Sequence, residues 1–134
     1  MITPTLETIR LFVHVLAAAV WVGGQFALAG IVPTLRREAP TAIRAVARAF
    51  ARTAWPAFGI VVVTGIWNLI DIDVTSMSGD ALATALAHLA LGMASGAFVA
   101  VHSLGSTRLA LALGGALGAV TSVAALFTGV LMRG

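Results

Sequence analysis

Two histidines, His14 and His88, stand inside long apolar stretches of a 134-residue chain that has no cysteine. A neutral imidazole carries one lone pair and one N–H, so it can ligate a metal, relay a proton or join two hydrogen bonds. Inside hydrocarbon such a group is costly, turns towards protein and marks a functional position. His14 lies in the run Arg10-x3-His14-x6-Trp21-x2-Gly24-Gln25. Offsets of 0, 4, 11 and 15 put Arg10, His14, Trp21 and Gln25 on one broad helical face. That face cannot turn to lipid, where Arg, His and Gln would find no partners. His88 shares its face with Gly92, Ser95 and His102, and Gly92 removes bulk one turn after the imidazole, where a flat ligand needs room. A plainer reading competes: His14 and Gln25 bond neighbouring helices, and Gly92 with Gly96 forms a small-x3-small packing motif.

Composition dictates the elements that carry these residues. The chain is 60% hydrophobic and 10% charged, with a mean hydropathy of +1.03. A soluble domain of this length cannot bury that much apolar surface. The expected fold class is all-α, a four-helix transmembrane bundle forming one integral domain over residues 1–134, with the lipid bilayer as its partner. Stretches 6–32, 52–71, 81–104 and 107–132 each reach the roughly 20 apolar residues that a crossing needs. Thr3-Pro4 is expected to open the first helix and Pro33 to end it. Pro40 opens the next helix, whose first turns, from Ala39 to Phe50, would project from the membrane. Ser76 to Asp80 form a turn with Ser78 or Asp80 capping the third helix, and Gly105-Ser106 a tight hairpin. No cleavable signal peptide and no clear internal repeat stand out.

All eight basic residues are arginine. Arg36, Arg37, Arg44, Arg48, Arg52 and Arg108 flank the first and third connections, against Arg10 and Arg133 on the other side. Arginine excess marks the cytoplasm, so both termini face outward on a multi-pass protein of the cell (plasma or inner) membrane. The net charge of +3 gathers beside apolar spans, without the basic patches that bind nucleic acid. Arg44, Arg48 and Arg52 form a stripe suited to anionic lipid headgroups. Trp55 and Trp67 are read as interfacial anchors, and Pro56 as a kink. Serine, cysteine and paired-carboxylate catalysis are set aside, because the acids lie near the outer surface and the serines lack a positioned base.

Depth joins the two histidines. The first and third helices run in parallel from the outer side, and at about 1.5 Å per residue each imidazole lies roughly 12–15 Å in. Two imidazoles at one depth suit axial ligation of haem b, with His14 and His88 as the metal ligands. Arg10, about 6 Å nearer water, is placed for a haem propionate. Trp21, Gln25 and Gly92 complete the cofactor-binding set. His102, about 21 Å further along its helix, reads as a solvated rim residue.

The run His14-x6-Trp21-Val22-Gly23-Gly24, the arginine-rich first connection and the Thr64-Gly65-Ile66-Trp67-Asn68 segment resemble the copper resistance protein D family. The chain is also similar to HemJ-type protoporphyrinogen oxidases, four-helix membrane proteins that bind haem. Their His-x6-Trp-x2-Gly run is matched by His14, Trp21 and Gly24, and their third-helix histidines by His88 and His102. The lysine of their His-x-Lys motif is Ala90 here, a departure at a position tied to haem in that family. The resemblance implies haem or copper as the ligand, electron transfer as a role, and a homodimer, since the single-domain members are shorter than the others. Copper(I) favours thioether and imidazole, and Met77 and Met93 are the methionines placed to serve it. A ligand-free accessory subunit is the third reading. A reporter fused to the C-terminus is expected to be active only outside the cytoplasm; activity inside overturns the arginine rule for this chain.

Overall fold

The computed structural model describes residues 3–73 and 75–133. It is all-α, with four helices long and apolar enough to cross a membrane: α1 (Leu6–Glu38), α2 (Ile43–Asp71), α3 (Gly79–Leu104) and α4 (Arg108–Leu131). The chain is a multi-pass membrane protein. It divides into two compact units, one ending at Ile72 and one beginning at Asp73. Each unit is a helical hairpin, α1 packed on α2 and α3 on α4.

The helix ends follow local chemistry. Thr5, rather than Thr3, caps α1, because its hydroxyl accepts the Thr8 N–H at 3.2 Å and meets the Thr8 hydroxyl at 2.9 Å. Pro33 does not end this helix. It lies inside α1, which runs on to Glu38 at the cost of one ladder hydrogen bond, a loss that membrane helices tolerate. Termination comes at Ala39, whose backbone (φ −149°, ψ 63°) leaves the helical region that a following proline disfavours. Pro40 then opens a single 3-10 turn, Pro40–Ala42, that leads into α2. Ser78 caps α3 by accepting the Ala81 N–H at 3.3 Å, and Thr107 caps α4 by accepting that of Ala110 at 3.1 Å. In the turn before α3 the Thr75 hydroxyl and N–H donate to Asp73, holding that exposed carboxyl below its usual range.

Small residues set the helix separation in both hairpins. In the first, Ala54 and Ala57 of α2 are buried with Ala17 and Trp21 of α1, and the Trp21 ring packs 4.6 Å from Phe58 and 5.4 Å from Trp55. Trp55 is therefore part of an aromatic cluster within its hairpin and not simply an interfacial anchor. In the second, Gly114, Gly118, Ser122 and Ala125 form the buried stripe of α4. Ser95, 1% exposed, meets Ser122, 2% exposed, at 2.7 Å, and Ser122 donates to the Gly118 carbonyl at 2.6 Å. The faces left over carry leucine, isoleucine, valine and phenylalanine in the open, as a lipid-facing surface requires.

Gly114 marks a close approach of α4 to the backbone of α3. A Cβ there would lie 2.6 Å from the His102 backbone nitrogen and 2.8 Å from the Phe98 carbonyl oxygen, neither of which can swing aside. Gly92 is its opposite, since a Cβ there would meet nothing within 4 Å. The small-x3-small pairing expected of Gly92 with Gly96 thus falls on Gly96, the buried member. Gly114→Val is expected to destabilise the detergent-solubilised protein by about 1–3 kcal/mol through overpacking, whereas Gly92→Ala is neutral or stabilising by up to about 1 kcal/mol. Thermal melts followed by helical circular dichroism compare the two.

Candidate imidazole sites

Each hairpin holds its histidine by the same means. In the first, His14 Nδ1 lies 2.8 Å from the Thr64 hydroxyl oxygen. That hydroxyl has one proton, and it goes to the Ile60 carbonyl one turn back, 2.5 Å away. The Thr64 oxygen can then only accept, so Nδ1 of His14 carries the hydrogen and the lone pair resides on Nε2. Gly65 stands beside the ring, and a Cβ there would come to 3.3 Å from His14 Cε1.

In the second hairpin, His88 Nδ1 lies 2.8 Å from the Ala125 carbonyl and 3.3 Å from the Thr128 hydroxyl. A carbonyl only accepts, which fixes the same tautomer. Gly129 supports the ring, with its would-be Cβ 3.1 Å from His88 Cε1. His102 repeats the arrangement nearer the α3–α4 turn: Nδ1 donates to the Leu111 carbonyl at 2.6 Å, and Gly115 lies against the ring. It is exposed, as a rim residue should be. His14 and His88 are half-buried.

The polar stripe of α1 is less unified. Arg10 is buried, with its Nε donating to Asn68 Oδ1 at 2.6 Å and its Nη1 paired with the Asp71 carboxylate. Its guanidinium lies over the Trp67 ring, 5.4 Å from the centroid. Arg10 thereby fastens the two ends of its hairpin together, and a propionate or other anion would have to share it with Asp71. Trp67 forms the floor of that ion pair. Gln25 donates to the Trp21 carbonyl on its own helix at 3.2 Å, and Trp21 belongs to the aromatic cluster. An apolar groove of about 440 Å³ runs between α1 and α2, lined by Leu16, Val20, Pro56 and Ile60 with Arg52 at one side. His14 is not among its walls. Arg36, Arg37, Arg44, Arg48 and Arg52 are exposed, as headgroup contact requires.

Sequence reasoning singled out the histidines and missed what holds them. Thr64, Gly65, Thr128 and Gly129 had a visible signal, since the dipeptide Thr-Gly occurs once on each second helix. Among the described residues, no three His, Asp or Glu side chains converge on a point that could hold a metal ion. Neither a family profile, nor a characterised protein, nor a solved structure matches this chain.

The Arg10 pair carries a prediction. Its arginine is 7% exposed and its carboxylate 51% exposed. Removing Asp71 leaves a buried guanidinium with Asn68 alone, and the half-exposed partner reduces the penalty below that of a fully buried pair. Asp71→Ala is expected to cost about 1–2 kcal/mol, with Arg10→Leu costing less because it removes the buried charge itself. Urea or thermal unfolding of the two variants checks the order.

Proposed function

We propose that the chain is a haem-binding membrane protein of the b type, suited to one-electron transfer, in which His14 and His88 are the iron ligands. The observation that carries this reading is the shared tautomer. An imidazole that donates Nδ1–H to a protein acceptor presents Nε2 as its ligating atom and is more basic for it. His14 does so towards Thr64 and His88 towards the Ala125 carbonyl. Bound iron would supply the redox chemistry, while these residues hold the rings at the correct tautomer. Open space beside Gly92, one turn after His88, adds room for a planar group.

Haem asks less of the protein than a bare ion does. The porphyrin occupies the equatorial positions and leaves only the axial ones to side chains. Copper held by protein alone needs a converging set of donors, whereas haem needs only axial imidazoles from the chain. The resemblance to the copper resistance protein D and HemJ-type families is compatible with haem. Ala90 at the lysine position counts against the oxidase reaction, which is left out of this proposal. The cell membrane and a homodimer belong to the same proposal, the first through the arginine distribution.

Protein purified in detergent from haem-replete cells is expected to show a Soret band. His14→Ala and His88→Ala should each remove most of it while leaving the helix content and membrane insertion intact, because one imidazole is negligible beside four apolar spans. Wild-type protein without a Soret band, or with stoichiometric copper in its place, overturns the reading. So does a full band in both variants.

A further inference from the structure

We infer that the chain is a tandem pair of one imidazole-presenting hairpin, in which Thr64-Gly65 and Thr128-Gly129 occupy corresponding places beside His14 and His88 and Thr64 itself sets the His14 tautomer. The inference rests on the haem reading for what the imidazoles serve, but not for the pairing itself.

Four correspondences carry it. His14 is the ninth residue of α1 and His88 the tenth of α3, so each ring sits at the same height on the first helix of its hairpin. Each Nδ1 reaches the second helix at a threonine or one turn before it: Thr64 Oγ1 at 2.8 Å in one case, Ala125 O at 2.8 Å with Thr128 Oγ1 at 3.3 Å in the other. Each threonine turns its own proton back onto its helix, Thr64 to the Ile60 carbonyl at 2.5 Å and Thr128 to the Ala124 and Ala125 carbonyls at 3.0 and 2.9 Å. In each hairpin the next residue is a glycine whose missing Cβ makes the seat for the ring, at 3.3 Å for Gly65 and 3.1 Å for Gly129.

Elsewhere the two hairpins differ in sequence, so that the repeat shows there only in the Thr-Gly dipeptide and the histidine. The Arg10 clamp has no counterpart, since Thr84 stands four residues before His88 and Met132 three after Gly129. Conversely, the third imidazole seat exists only in the second copy. Fourteen residues after His14 is Leu28, against His102 after His88, and fourteen before Gly65 is Ala51, against Gly115 before Gly129. What persists is the histidine, the threonine and the glycine. General helix packing would keep small residues at the contact, but it has no reason to keep a hydroxyl and an imidazole in register with them.

The threonines differ in how much depends on them. Thr64 is the acceptor that fixes the His14 tautomer, whereas at His88 the Ala125 carbonyl shares that task. The test is nitrogen-15 spectroscopy of histidine-labelled full-length protein in detergent micelles, above the pH at which histidine titrates, with each ring assigned by its His→Gln variant. Wild-type His14 and His88 are both expected as Nδ1–H tautomers. Thr64→Val should move His14 to the Nε2–H form preferred by free imidazole, Thr64→Ser should restore it, and Thr128→Val should leave His88 as it was. In haem-loaded protein Thr64→Val should weaken haem binding by about 10- to 100-fold, as loss of such supporting bonds does, and raise the midpoint potential.

An Nε2–H tautomer at either histidine of the wild type, or a His14 signal indifferent to Thr64→Val, overturns the inference. Correct tautomers that respond as stated, in a protein that shows no Soret band, uphold the pairing and sink the haem reading alone.

Discussion

A polar side chain within a hydrocarbon layer must find its partner in the protein, and the whole arrangement depends on that constraint. Water cannot complete an unpaired imidazole or guanidinium there. Both hairpins meet the requirement internally, with His14 on Thr64, His88 on Ala125, Arg10 on Asn68 and Asp71, and Ser95 on Ser122. Among the described residues no buried side-chain nitrogen or oxygen is left without a hydrogen bond. The hydroxyls of Thr64, Thr121, Ser122 and Thr128 each donate to a carbonyl one turn back, which turns a donor into an acceptor for whatever faces it. That conversion is what allows a threonine to orient a histidine.

Such bonds require the helices to approach closely, and the approach is set by residues that are small. A ring bonded through Nδ1 to the opposite helix brings its Nδ1–Cε1 edge close to that helix, so the position beside it is best left without a side chain. Gly65, Gly129 and Gly115 meet this need for His14, His88 and His102 in turn. The polar pairing and the glycine pattern are therefore one device. A methyl group added at the glycine would press on the ring by a few tenths of an ångström, and so act on the hydrogen bond from the other side.

The two hairpins obtain cohesion differently. In the first, an ion pair on an aromatic floor closes one end and a cluster of Trp21, Trp55 and Phe58 fills the middle. In the second, α3 and α4 come into backbone contact along a glycine and serine stripe, and dispersion between closely apposed helices takes the place of large side chains. The shared element within these different frames is the oriented imidazole. Conservation of that one geometry across unlike packing is what directs attention to it as the functional feature.

Much of the fold was legible in the residues themselves. Apolar length alone gave four crossings, because about 20 such residues span a bilayer and no soluble core could absorb them. Caps at Ser78 and the turn at Gly105 followed from local chemistry, as did the identity of His14 and His88 as the groups to explain. Local rules erred where two signals competed. Pro33 looked like a terminator, yet α1 passes through it and ends at Ala39, the residue before Pro40. Only tertiary structure decided what each polar group touches. Arg10 and Asp71 are 61 positions apart and His14 and Thr64 are 50 apart, and helical periodicity gives a face without saying which residue on another helix meets it. The tautomer of each histidine, and the likeness of the two hairpins, depend on those meetings, for a hydrogen bond is fixed by distance and direction between atoms and not by the order of residues along a chain.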